Sequence, residues 1–403
     1  MTPQSDVLPA RSTSRGDREV GGERSSVAVP LTVMVTCALL VLMQLYLAIP
    51  LVPVLSEEFG AGVSAALATA YGLAYALGFL VWGPISDRYG RKVILVPGML
   101  ALAVATGLLA VAPSLGVVAG LRAVQGFVAA SFAVVILAYV GEALPPRWRT
   151  TGIGAISTAF LVAGIVGQVY AQVVALSLGW RWVFGLAAAA FALAAAGLGT
   201  VLGEPYRAAT STTLVQRFAQ LRSLVVRREL ALPYAASFTI LLAFVAMYAA
   251  LGPQLQEQFG LDPNAILLVR LAGLPGMALA PVAGALIGRV GPVRVAVAGF
   301  LLAALGLMGE ALAAESLWAL AVTSAVLVAG TATTVPALIT LVGSRAGKAR
   351  ASSTGIYGFV LFAGASVGPL TLGLPLGFTG LLLALAALLL GGAALVATSA
   401  PRT

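Results

Sequence analysis

Long apolar runs follow one another through most of this chain, and they restrict its possible folds more than any other feature of the sequence. They lie at 30–53, 63–86, 92–112, 115–141, 150–176, 181–202, 231–256, 265–288, 293–313, 315–342, 350–374 and 377–398. Each run is near the ~20 residues that an α-helix needs to cross a bilayer, where every backbone polar group must be bonded within the segment. Charged residues make up only 9% of the chain, against about 25% in soluble domains. We therefore expect an all-α protein embedded in a lipid bilayer through twelve transmembrane helices.

The polar segments divide these runs into two sets of six. Residues 1–29 are polar and lack periodicity, which predicts a disordered tail, and no signal-peptide cleavage site follows the first run. A basic linker at 203–230 separates a first six-helix bundle at 30–202 from a second at 231–398, and 399–403 form a short tail. The stretch from Tyr46 to Gly60 is repeated in the stretch from Tyr248 to Gly260. Such a repeat predicts two pseudo-symmetric six-helix bundles with a binding site between them.

The basic residues are distributed unevenly enough to predict an orientation. Of the 23 Lys and Arg residues, all but Arg122, Arg181 and Arg270 fall in segments that twelve spans would place on one side. In membrane proteins the cytoplasmic segments carry the excess of Lys and Arg residues. We therefore predict that both termini, including the tails 1–29 and 399–403, lie in the cytoplasm. The net charge of +9 is spread over many short loops without interleaved aromatic residues, which argues against a nucleic-acid partner. The Arg- and Ala-rich composition favours a bacterial plasma membrane.

The loop at 83–94 combines closely spaced charges with two glycines between long apolar runs. It matches the pattern G-x-x-x-D-R-x-G-R-[RK] at every position, through Gly83, Asp87, Arg88, Gly90, Arg91 and Lys92. This loop resembles the signature loop between the second and third helices of the major facilitator superfamily. The resemblance implies the fold of that superfamily, a monomer, and a gating role for these six residues. The second-half copy of the loop has Gly288 in place of the aspartate, so we expect it to be structural only.

Two further elements lie on the fourth run. Leu121-Arg-Ala-Val-Gln-Gly126 resembles the R-x-x-Q-G element of the superfamily, which implies that Arg122 takes part in proton coupling. Arg122 and Gln125 share a helix face, and Gly126 allows a neighbouring helix to approach closely. The alternative is that Arg122 snorkels from the outer end of the run. At the inner end, Glu142 either pairs with Arg88, Arg91 or Arg149 or is a solvated interfacial residue beside Arg147.

Polar side chains on runs that resemble cavity-lining helices are the candidates for contact with a substrate. They are Gln44, Tyr71, Arg122, Gln125, Gln168, Tyr248, Arg270 and Tyr357. Arg270 lies near the start of the eighth run, so it is either a site residue or a snorkelling one. Glu310, near the outer end of the ninth run, is predicted to be interfacial.

Missing residue types and motifs exclude several functions. The chain has no histidine, one cysteine (Cys37) and no P-loop. We therefore predict no metal site, no cofactor and no ATP-driven pumping by this chain. An intramembrane enzyme is the least supported class, because the sequence also lacks a buried aspartate pair and an H-E-x-x-H motif.

The charges within the runs favour a transporter whose substrate is not a cation. Apart from Asp87 and Glu142 at run edges, no carboxylate lies in the runs expected to line the cavity, whereas exporters of cations need a buried acid. We expect a proton-coupled efflux transporter, similar to the drug/proton antiporters of the superfamily, for a neutral, zwitterionic or anionic small drug or metabolite. Its antiporter signature is incomplete, because Gln168 stands where a proline is expected. A proton-independent facilitator and an organic-anion exchanger of the same fold are the alternatives.

Overall fold

The computed structural model describes residues 14–204, 221–277, 279–347 and 350–399. Within these residues, twelve helical segments are long and apolar enough to cross a membrane, which confirms the predicted number. In chain order, spans 1 to 12 are Val27–Tyr46, Ala65–Tyr89, Arg91–Leu109, Leu115–Ala143, Pro146–Leu178, Trp180–Val201, Arg228–Phe259, Pro263–Val290, Pro292–Leu312, Leu317–Arg345, Ser352–Gly373 and Gly377–Thr398. The architecture is all-α, as the hydropathy pattern predicts.

The segments outside the spans differ in part from expectation. The first helix runs over Ser14–Tyr46, so residues 14–29, predicted to be disordered, are helical. Residues 1–13, most of the basic linker (205–220) and residues 400–403 lie outside the described part of the chain. We call the end of the bundle that carries Arg88, Arg147 and Arg345 the basic face, and the end that carries Glu58 and Glu257 the opposite face.

Four spans depart from regular α-helix in the part of the bundle nearer the opposite face. Span 1 breaks at Leu47 and continues as the helix Ala48–Phe59, and span 2 begins with the π-helix Ala65–Thr69. Span 8 consists of the helices Pro263–Leu271, Leu274–Met277 and Leu279–Val290, and span 11 changes from the helix Arg350–Val367 to the 3-10 helix Gly368–Gly373. Proline, which cannot donate a backbone hydrogen bond, lies at or just beyond three of the breaks, as Pro50, Pro275 and Pro369.

Small residues bring neighbouring spans together. Gly126 of span 4 lies against the backbone of Tyr71 in span 2, and a Cβ at position 126 would overlap the Tyr71 carbonyl oxygen. The predicted close approach at Gly126 is therefore present, and its partner is span 2. The two halves meet chiefly along spans 2 and 11, where Gly358 lies against the ring of Phe79 and a Cβ would overlap that ring. Glycine at these points sets the distance between helices.

Candidate functional site

A large cavity lies between the two halves. Its volume is about 1280 Å³, larger than the ~300–1,000 Å³ of typical ligand pockets. Spans 1, 2, 4 and 5 of the first half and spans 7, 8, 10 and 11 of the second supply almost all of its wall. Equivalent helices of the two repeats thus line one chamber, which is where transporters built from repeats bind their substrates.

The cavity extends to the basic face and ends before the opposite face. Its lining includes Asp87 and Arg91 at the basic face. Toward the opposite face the halves touch: Thr69 Oγ1 donates to the backbone oxygen of Ser366 at 3.2 Å. A Cβ on Gly72 would overlap the side chain of Ser366. The structure is therefore open toward the basic face and closed toward the opposite face.

Arg91 is the centre of an ion-pair cluster at the mouth of the cavity. Its Nη1 lies 2.6 Å from Asp87 Oδ1 and donates to Ser86 Oγ at 2.6 Å. Its Nε and Nη2 donate to the two carboxylate oxygens of Glu142 at 3.1 and 2.7 Å. This bidentate geometry is the strongest that an arginine makes with a carboxylate. Of the three arginines predicted as partners of Glu142, Arg91 binds it, while the guanidinium of Arg88 lies over the Tyr89 ring and Arg149 Nε donates to the Leu144 backbone oxygen at 2.9 Å.

The start of span 3 is held by a carboxylate that sequence reasoning missed. Gly90, with φ of 120°, ends span 2 and lets span 3 begin at the next residue. The backbone N–H groups of Arg91 and Lys92 donate to the two oxygens of Glu204 at 2.8 and 3.0 Å. An anion at this position satisfies free N–H groups and the helix dipole. Lys92 Nζ donates to the carbonyl oxygens of Gly199 and Leu202, so this part of the signature loop binds the end of span 6. More than a hundred residues separate the partners, so no local spacing could indicate the contact.

Arg122 is fully buried inside the first half. Its Nε donates to the backbone oxygen of Leu67 at 2.8 Å and its Nη2 to that of Gln44 at 2.9 Å. Gln44 lies just before the break in span 1, and Leu67 lies in the π-helix of span 2. The guanidinium also lies over the Tyr71 ring, with Cζ 4.2 Å from the centroid. The snorkelling alternative is wrong, because the side chain reaches neither surface and instead joins two irregular turns.

Gln125 extends this cluster. It accepts from Arg122 Nη1 and donates through Nε2 to Gln44 Oε1 at 3.1 Å and to Thr106 Oγ1 at 2.7 Å. Gln44, Tyr71, Arg122 and Gln125 do not line the cavity, so the prediction that these four face a substrate is wrong for this conformation. The physical reason is that the polar atoms of Gln44, Arg122 and Gln125 bond one another and neighbouring backbone within the first half, and the Tyr71 ring packs against the Arg122 guanidinium. A part for Arg122 in proton coupling stays a prediction.

The other four candidates do line the cavity: Gln168, Tyr248, Arg270 and Tyr357. Arg270 is on the first, short helix of span 8 and crosses to the other half, where its Nη1 donates to Gln168 Oε1 at 3.3 Å. Its Nη2 donates to the Tyr248 backbone oxygen at 3.4 Å, and its Nε is buried without a partner among the described atoms. Tyr357 donates to the Val335 carbonyl oxygen at 3.0 Å. Arg270 therefore reaches the cavity with long contacts and a free donor.

Glu310 is not interfacial, contrary to expectation. Its side chain is fully buried, and its Oε1 accepts a hydrogen bond of 2.7 Å from Ser324 Oγ in span 10. Hydropathy places the residue near the end of span 9 but does not report which way the helix face points, and this face packs against its neighbours. Glu310 does not line the cavity.

Comparison with known proteins agrees with this arrangement. A sequence profile described as Major Facilitator Superfamily matches residues 34–369. "Inner membrane transport protein YnfM" of Escherichia coli (strain K12) is 29% identical over 256 residues, which are 61% of this chain and 60% of the relative. A "Chloramphenicol resistance protein" of Pseudomonas aeruginosa is 33% identical over 145 residues, 35% of this chain and 34% of the relative. The chain thus spans less than two thirds of each relative. The crystal structure of the human organic anion transporter MFSD10 (TETRAN) superposes with a TM-score of 0.67 at 21% identity, over 92% of this chain and 99% of that one, and it supports the fold.

Proposed function

The chain belongs to the major facilitator superfamily, and from that premise we propose that it is a secondary active transporter that exports a small organic molecule from a bacterial cell. The observation that carries the proposal is the cavity of about 1280 Å³ between the halves, which extends to one face only. A chamber with a single mouth, walled by both repeats, suits alternating access, in which the halves rock and expose the site to each side in turn. The basic residues favour a cytoplasmic position for that mouth and for both termini.

The cavity wall favours an anionic, zwitterionic or neutral substrate. Arg270 is the cation away from the mouth, and its Nε has no partner among the described atoms. Among the described lining residues, the carboxylate is Asp87, which is at the mouth and paired with Arg91. A carboxylate or similar group of the substrate placed against the accessible part of the Arg270 guanidinium accepts a charge-assisted hydrogen bond. An organic cation has no such partner there and meets a like charge.

The cluster at the mouth is proposed as the inner gate. Asp87, Arg91 and Glu142 connect the ends of spans 2, 3 and 4, and two of them line the cavity mouth. Closing the mouth brings the second half against this cluster, so its ion pairs set the relative free energies of the open and closed states. Ion pairs that form in one arrangement and break in another are a common basis for such two-state behaviour.

Export and proton coupling rest on relatives and on cavity chemistry. Two of the relatives are named "Multidrug resistance protein 3" and "Chloramphenicol resistance protein", which favours efflux of a drug or metabolite. Proton entry is the driving force in this proposal, and the protein acts as a monomer because the whole cavity is built within one chain. A second candidate, an organic-anion exchanger, is favoured by the position of Arg270 in the cavity wall away from the mouth, and it needs no proton.

Transport by purified protein in liposomes tests the proposal. Counterflow is measured for a panel of anionic, neutral and cationic compounds, with and without an imposed pH gradient. We expect counterflow of anionic or neutral compounds, and we expect Arg270→Gln to reduce anion counterflow roughly ten- to hundredfold, the size of a lost charged hydrogen bond of ~1.5–3 kcal/mol. Arg181→Gln, which changes an exposed arginine of the opposite face, is the matched control.

The outcomes separate the candidates. Stimulation by a pH gradient supports proton-coupled export, whereas stimulation only by an opposing anion gradient supports the exchanger. Energy-dependent transport of ethidium with full activity in Arg270→Gln would show that the substrate class is wrong.

A further inference from the structure

Glu310 is a buried acid that the cavity does not use. Its side chain has 0% exposure. Ser324 Oγ donates to Oε1 at 2.7 Å, and Oε2 has no partner among the described atoms. An acid in this position is unusual within a membrane span, where ionisable groups are costly and most often functional.

The elements packed against Glu310 supply no cation to balance a carboxylate. Span 9 packs chiefly against spans 10 and 12 and touches the last helix of span 8. Span 12 contains no ionisable residue; span 10 contains only Arg345 and the last helix of span 8 only Arg289, both at the basic face. On the same side as Glu310, span 10 presents the hydroxyl of Ser324 and the methyl group of Thr323, which lies against Gly309. An ionised Glu310 would thus be an uncompensated charge in an apolar surrounding, so the neutral acid is the stable form here.

Glu310 lies between the opposite face and the cavity wall. Span 9 ends two residues later, at Leu312, so water on the opposite side is about one helical turn away. On the cavity side, Val328 follows Ser324 by one turn of span 10 and packs at Gly273 beside the hydroxyl of Tyr248. Tyr248 and Val328 line the cavity, and the backbone oxygen of Tyr248 accepts a hydrogen bond from Arg270 Nη2 at 3.4 Å. Tyr248 therefore lies beside Arg270 and, through Val328, beside the span that bonds Glu310.

We propose that Glu310 is the proton-binding residue of the transport cycle. It takes up a proton when the opposite face is open and holds it in the conformation described here, where the acid is sealed off. The proton then leaves toward the cavity, on the side of Tyr248, before the next substrate is exported. One proton enters from the opposite face and one is delivered to the basic face, so the step balances. The inference rests on the proposed proton-coupled transport and names the group that carries it out.

The alternative is a structural hydrogen bond. In the first half, Thr106 and Gln125 join spans 3 and 4 in the same way that Glu310 and Ser324 join spans 9 and 10. An uncharged amide performs that role in the first half. If the role of Glu310 were the same, glutamine would serve as well as glutamic acid.

Two measurements on the full chain test the proposal. The first is infrared difference spectroscopy of purified wild type and Glu310→Gln between neutral and alkaline pH, with the proton as the only ligand. We expect a protonated carboxyl band in the wild type at neutral pH that is absent in Glu310→Gln and present in Glu315→Gln, a matched change of an exposed acid near the same helix end. Absence of the band from the wild type would overturn the proposal.

The second measurement uses proteoliposomes with whichever panel compound shows the fastest counterflow. Glu310→Gln can neither take up nor release a proton, so we expect at least a tenfold loss of the response of transport to a pH gradient of either direction, whereas Glu315→Gln keeps the full response. Glu310→Asp restores part of the response if the carboxyl titrates. A full response in Glu310→Gln would show that the contact is structural. If transport by the wild type does not respond to a pH gradient, the proposed proton coupling itself is wrong, whatever the infrared result. If Glu310→Gln fails to fold, Ser324→Ala takes its place, because it keeps the acid but removes its hydrogen-bond donor. We expect Ser324→Ala to shift the pH at which the infrared band is lost. The absence of a shift would count against the proposal.

Discussion

Arg122 Nε donates to the backbone oxygen of Leu67 at 2.8 Å, so a cation of span 4 holds a π-helical turn of span 2. The same guanidinium donates to the backbone oxygen of Gln44 beside the break in span 1. Backbone carbonyls at irregular turns need partners inside a membrane protein, where water is scarce. Arg122 donates to backbone carbonyls at both turns, so its first role is to hold these two turns in place.

Replacing Arg122 by alanine is expected to destabilise the protein. The change leaves two buried carbonyl oxygens and Gln125 without their donor, at about 1–3 kcal/mol for each unsatisfied group. Thermal unfolding of the purified protein in detergent measures the effect. Arg270→Ala is the comparison, because Arg270 makes only contacts of 3.3 and 3.4 Å. Equal unfolding midpoints for the two variants would contradict the anchoring role.

Gly126→Ala is expected to destabilise the first half, whereas Gly120→Ala on the same helix is not. A Cβ at 126 meets the backbone of Tyr71, which cannot move as a side chain can, while a Cβ at 120 meets nothing within 4 Å. Overpacking of this kind costs roughly 1–3 kcal/mol. The unfolding midpoint and the yield of monodisperse protein report the difference. A Gly126→Ala protein as stable as Gly120→Ala would mean that spans 2 and 4 are not in this contact.

Asp87→Asn is expected to slow transport more than it weakens substrate binding. The variant keeps the shape of the side chain but removes its charge from Arg91, 2.6 Å away at the cavity mouth and remote from Arg270. A change of ~1.4 kcal/mol in the barrier to closing corresponds to about a tenfold change in turnover. Counterflow rate and equilibrium binding of the same compound give the two quantities, with Glu257→Gln on the opposite face as the control. A collapse of binding affinity with normal turnover would remove Asp87 from the gate.

Cross-linking the halves at the opposite face is expected to lock the protein. Thr69 and Ser366 touch across the interface, so cysteines at these positions are close in the state described here. The background is Cys37→Ala, which removes the native thiol of this chain. We expect that a short thiol reagent links the pair and stops counterflow, and that reduction of a disulfide version restores it. Free transport after complete cross-linking would rule out rocking of the halves at this contact.

The twelve spans are predictable from the sequence because hydropathy alone sets them. The run predicted at 377–398 coincides with span 12, and the seventh run, predicted at 231–256, lies within Arg228–Phe259. Hydropathy reports which residues enter the bilayer, and the bilayer leaves the helix as the one structure they can form. The twelve spans follow from that constraint without any knowledge of packing.

The site is less predictable because it depends on the breaks within spans. The irregular turns at Leu47, Ala65–Thr69 and Ala272 lie inside uninterrupted apolar runs. The periodicity of the sequence does not indicate which backbone carbonyls these turns leave without a hydrogen bond within the helix. The sequence therefore predicts Arg122 in the cavity wall, although those carbonyls bind it inside the first half. The prediction that Glu310 is interfacial is wrong for a related reason, since position along a helix does not reveal which face is buried.

Glu204 connects the backbone of the signature loop to the chain that follows span 6. Its carboxylate is bonded to the first amides of span 3, and it is the last described residue before the segment that joins the two halves. Arg91 thus receives Glu204 on its backbone and makes the ion pairs of the mouth with its side chain, so a displacement at the end of span 6 is transmitted through one residue to those ion pairs.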